Sequence, residues 1–152
     1  MCNFTPSKYF GMEGLKQMLA HNDVRGVVRT AAGEVIEFHN PGVKDLFELV
    51  ATRPHELAGA LVADRVVGRG AALLLVLGRV KNVYAQVISS PALQVLNDAE
   101  INVDYGSKEP NIINRDGTDL CPVEKLTMAI NDPIIAFNKI KEFLTTNSII
   151  ST

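Results

Sequence analysis

Apolar positions along the chain fall into short blocks whose spacing changes character several times. In residues 7–21 (SKYFGMEGLKQMLAH), Phe10, Leu15, Met18 and Leu19 recur at helical spacing, predicting an amphipathic helix with Ser7 as its N-cap. DVRGVVRT, AAGE and VIEFHN read as two β-runs around a glycine turn, a hairpin over about 24–39. After the breaker Asn40-Pro41-Gly42, Val43, Leu46, Phe47 and Val50 mark a helix that Arg53-Pro54 ends. In 57–67, Leu61-Val62-Ala63 and Val66-Val67 fit either one strand or two extended pieces around a solvated Asp64-Arg65 turn. Residues 71–77 are continuously apolar. That run is too short to span a bilayer, which takes about 20 residues, so it reads as a buried helix over 70–78.

A β-branched run follows at 83–89, then a helix begun by Pro91, then a short strand INVDYG. Strand, helix, strand at this spacing is the signature of a parallel sheet covered by helices. The polar stretch YGSKEPNIINRDGTDL is a long loop of the kind that usually carries function. From Cys121 onward the pattern gives one helix broken near Asn131-Asp132-Pro133, or two in succession. We read 1–152 as one domain with a core at about 8–146 and a fraying tail at 147–152.

Composition narrows the function classes. Fifteen Lys and Arg against seventeen Asp and Glu give a net charge of −2, without the positive excess of a nucleic-acid or membrane-surface binder. Two cysteines cannot build a disulfide framework, and MCNFTPSKYF lacks the apolar core of a signal peptide, so a soluble cytoplasmic protein is expected. Three histidines, His21, His39 and His55, all lie within the first 55 residues; His55-Glu56 is not followed by a second histidine at Gly59. No metal site and no cofactor are expected.

Three groups of residues carry candidate chemistry. Gly68-Arg69-Gly70, at the entry to the buried helix, is either a tight turn or a place where free N–H groups and Arg69 hold an anion. Cys121-Pro122-Val123-Glu124 fits a helix start with Cys121 at the N-cap and Glu124 three residues on, as in a capping box. There the helix dipole would favour a thiolate, although Cys121 is equally well a small structural residue. Asp64 is the third, a carboxylate within an apolar segment beside the Gly-Arg-Gly turn.

Taken together, ADRVVGRGAALLLVLGRVKNVYAQVISSPALQVL, VDYG and NIINRDGTDLCPVEKL resemble the bacterial and archaeal domain of unknown function family 1893, over about residues 10–130. The resemblance implies a cytidine-deaminase-like fold: a three-layer α/β/α sandwich with a mixed sheet of about five strands. Zinc deaminases carry His-x-Glu at one helix start and Pro-Cys-x-x-Cys at the next. Here Ala92 and Val95 stand where the cysteines would, and the helix at Gly68-Arg69-Gly70 has neither His nor Glu. In such a fold the helix starts near 68–70 and 90–92 converge. Asp64, Arg69, Ser89 and Ser90 would then line a metal-free polar cavity, closed by a loop bearing Asn114, Arg115 and Cys121.

The leading expectation is a domain that binds a small anionic or nucleotide-like ligand through Gly68, Arg69, Gly70, Ser89, Ser90, Asn114 and Arg115. One alternative is a metal-independent enzyme with Cys121 as nucleophile or redox thiol and Asp64 or Glu124 as proton acceptor. The other is a non-catalytic regulatory module acting as a homo-oligomer.

Overall fold

The computed structural model describes residues 11–114 and 116–150. The expected helix over 7–21 is described as α1 (Met12–Met18); its Ser7 cap and Phe10 lie outside the described residues. The hairpin forms from β1 (Gly26–Arg29) and β2 (Val35–Phe38), antiparallel, with Gly26 opposite Phe38. Helix α2 (Lys44–Thr52) stops at Arg53 because a short helix, α3 (Pro54–Leu57), restarts at the proline, an element the sequence reading missed.

The ambiguous segment is one strand, β3 (Leu61–Val67), so Asp64-Arg65 is not a solvated turn. Arg65 is accommodated because α1 ends beside it: its guanidinium donates to the carbonyls of Leu19, His21 and Val24 at 2.7–2.8 Å. These are the carbonyls a helix terminus and its following turn leave open.

Helix α4 (Arg69–Gly78), strand β4 (Asn82–Ser89), helix α5 (Ser90–Asp98) and strand β5 (Asn102–Glu109) complete the parallel half. Ser89 caps α5 by accepting a hydrogen bond from the Ala92 N–H. Strand β5 runs three residues further than INVDYG, shortening the polar loop to 110–121. Two helices follow, α6 (Pro122–Thr127) and α7 (Pro133–Thr146), the second capped by Asp132. After α7 the chain folds back: the N–H groups of Ile149 and Ile150 both reach the Leu144 carbonyl, and Ile150 packs on the main core.

The sheet is mixed, in the order β2-β1-β3-β4-β5, with β3, β4 and β5 parallel and β1 antiparallel to its neighbours. Its larger core lies under α4, whose Ala72, Leu73, Leu74 and Leu75 are at most 1% exposed, so the apolar run is core as its composition demands. Phe47 of α2 stacks on Phe137 of α7 at 4.8 Å in the same layer. A smaller core on the opposite face holds α1 against Val27 and Ala63. Helices thus flank both faces of the sheet.

Candidate active site

Strands β3 and β4 run parallel, so both end at one edge of the sheet and both deliver a helix N-terminus there. Such an edge, outside the carboxyl ends of parallel strands, is where ligands bind in α/β folds. A cavity of about 530 Å³ opens at this edge. Its walls come from the C-terminal half of β3, the starts of α2, α4 and α6, the loop before α6 and the end of α7. The lining is mostly apolar, with Val66, Ala71, Ile112, Ile113, Phe143 and Ile149 among the contributors. Size and apolar character match the usual small-molecule site of roughly 300–1,000 Å³.

Six of the expected residues meet in this cavity: Asp64, Gly68, Gly70, Asn114, Cys121 and the alternative proton acceptor Glu124. Asp64 and Cys121 therefore line one pocket. Arg25 and Lys44 join them as cations; Arg65 also lines the wall, but its guanidinium is held by the carbonyls of Leu19, His21 and Val24. Arg25 arrives because β1 pairs with β3: Gly26 faces Asp64, and the Arg65 N–H donates to the Arg25 carbonyl. Gly26 is needed at that point, since a Cβ would come within 2.9 Å of Phe38 and 3.3 Å of the Asp64 carboxyl carbon. Burial pushes the Asp64 carboxyl up to about 7, against the pull of the Val66 and Arg65 N–H groups and the charges of Arg25 and Arg65.

The other expected residues do different work. The Arg69 guanidinium is buried away from the cavity, donating to the carbonyls of Thr127 (2.8 Å) and Ile130 (2.5 Å) and to Asn131 Oδ1 (2.7 Å). It ties α4 to the α6–α7 corner. Ser89 is fully buried as a helix cap, and Ser90 is exposed with its hydroxyl 3.4 Å from the Glu109 carbonyl. Asn114 lines the cavity, but its side-chain amide closes its own turn by accepting from Thr118 and Asp119 N–H groups. Arg115 lies outside the described residues.

Glu124 is the residue whose role the sequence concealed. It does not reach back to the N-cap as a capping box would. Its carboxylate, 2% exposed, turns toward α4 and accepts from the Arg69 N–H (2.7 Å) and Ser89 Oγ (3.3 Å) through Oε1. Through Oε2 it accepts from the Ile112 N–H (2.6 Å). The anion expected at the α4 N-terminus is thus supplied by the chain itself. Gly68 permits this, because a Cβ there would come within 3.1 Å of Glu124 Oε1. Cys121 occupies the N-cap of α6 with no side-chain cap bond and is half-buried; its N–H donates to the Ile112 carbonyl at 2.8 Å. No group of three or more His, Cys, Asp or Glu gathers for a metal ion among the described residues. No helix among them is long and apolar enough to cross a membrane.

A mixed five-stranded sheet with its cavity at the carboxyl ends of β3 and β4 defines an α/β domain with a single-edge site. The chain belongs to the domain of unknown function family DUF1893, whose family model matches residues 14–144. It is similar to a DUF1893 family protein from Thermotoga maritima, known from its crystal structure, at 28% sequence identity and a TM-score of 0.79. That likeness covers 87% of this chain and 88% of the other. No curated protein matches the chain.

Proposed function

We propose that this domain binds a small, anion-bearing, nucleotide-like molecule in the cavity beside Asp64, with no metal ion. The observation that carries the reading is the make-up of that cavity: an apolar-walled space of about 530 Å³ in which Arg25 and Lys44 accompany one carboxyl group poised near neutrality. An apolar wall suits the faces of a planar heterocycle, and the cations suit a phosphate or carboxylate. Asp64 can donate or accept toward a ring edge according to its protonation. Glu124 is already held by three donors, so the ligand's anion goes to the cations and not to the α4 N-terminus.

The strand order and the two helices that follow β3 and β4 also support a cytidine-deaminase-like ancestry. The residues between those helix starts do not fit a zinc ion. They offer one carboxylate, bound by three donors, beside a serine cap, and among the described residues no group of three or more His, Cys, Asp or Glu gathers there. The ancestry is a statement about fold and carries no activity with it.

Thermal unfolding with a panel of nucleoside monophosphates tests the binding. At concentrations far above the dissociation constant, the matching ligand raises the midpoint by several degrees. The gain disappears in Val66→Trp, whose indole fills the cavity from an exposed strand position. Absence of any shift across the panel, or an equal shift in the variant, contradicts the reading.

A second reading rests on Cys121 and Asp64 lining the same cavity: Cys121 acts as a nucleophile with Asp64 as proton acceptor. It requires the native thiol to react at neutral pH much faster than the same thiol in urea. Equal or slower labelling of the native protein removes it.

A further inference from the structure

Strand β5 ends the sheet, and it is an unusual edge. It is eight residues long, contains no proline, and only Val103 among its side chains is even half-buried. Among the described residues nothing pairs with its outer side. Long open edges of this kind invite pairing with another chain unless their side chains forbid it. The sequence NVDYGSKE places an acid and a base four residues apart, Asp104 and Lys108, symmetrically about Gly106. Both charged side chains are exposed, Asp104 with Lys16 of its own chain 3.7 Å from its Oδ2.

We propose that β5 pairs with β5 of a second copy of this chain, antiparallel and centred on Gly106, so that each Asp104 faces Lys108 of the other copy. Two opposite-charge cross-strand pairs form in this register, on one continuous ten-stranded sheet. Moving the centre one residue toward the C-terminus sets Asp104 against Pro110. Moving it one residue the other way leaves Lys108 opposite Asn102. The charges thus select one register where a polar edge would slip. Gly106 lies on the twofold axis of this register. The same residue lies so close to β4 that a Cβ would come within 2.8 Å of the Gln86 carbonyl oxygen.

Sedimentation equilibrium over a wide concentration range tests the pairing. The wild-type chain is expected as a reversible dimer. Lys108→Asp alone puts a carboxylate at both paired positions, and Asp104→Lys alone an ammonium group at both; each self-associates at least about tenfold more weakly. Mixed in equal amounts, the two variants complement each other and recover the wild-type affinity. The substituted positions are exposed, and circular dichroism of each variant checks that it is folded. A wild-type chain that stays monomeric overturns the proposal. So does a dimer indifferent to the single substitutions, or variants that fail to associate when mixed.

Discussion

Asp64 concentrates the chemistry of the cavity in one carboxyl group. Its folded-state proton affinity is raised, so the native chain holds a proton that the unfolded chain gives up between about pH 4 and 7. With more protons bound in the native than in the unfolded state, stability is greatest below the ordinary carboxylate range. It falls as pH rises toward 7, then levels off. Asp64→Asn removes that loss. Urea unfolding at pH 8 should find the variant more stable than wild type by about 1–3 kcal/mol, with the two nearly equal at pH 4. A difference that does not change with pH would mean the carboxyl is not held protonated. The sequence pointed to Asp64 as a carboxylate in an apolar segment, but not to its partners. Arg25 lies 39 positions away, and only the antiparallel pairing of β1 with β3 brings it close.

At the scale of elements, Glu124 joins four pieces of chain. It belongs to α6, satisfies the first N–H of α4, receives the hydroxyl that caps α5, and anchors the 110–121 loop through Ile112. Removing it leaves three donors without their acceptor, two of them deep in the protein, so Glu124→Ala should cost about 3–5 kcal/mol in urea unfolding. A cost below about 1 kcal/mol would show that water or a rearranged loop replaces the carboxylate. Helical and strand periodicity made most elements legible before the structure, including α2, the β1–β2 hairpin, β4 and α5. It failed where a local pattern had a distant cause. Asp64-Arg65 looked like a turn because two charges interrupt valines and alanines, yet Arg65 is satisfied by the end of α1 and the strand continues. Cys121-Pro122-Val123-Glu124 looked like a self-contained cap, yet its glutamate serves another helix 55 residues upstream. Arg69 looked like an anion ligand and instead holds carbonyls of the α6–α7 corner.

At the scale of the whole molecule, one edge of the sheet carries the cavity and another end carries the open strand. The proposed ligand cavity and the proposed pairing edge thus lie on separate parts of the sheet. Helices cover both faces of the sheet, so the space between β3, α4, α6 and the end of α7 is where an apolar wall and cationic groups remain accessible together. The measurement that tests this most directly is a two-dimensional amide NMR titration with the monophosphate that stabilises the chain best. The account predicts saturable shifts at Asp64, Val66, Gly70, Asn114 and Cys121, with the outer side of β5 unmoved. Shifts scattered over the surface, or gathered away from β3 and the start of α6, would contradict it.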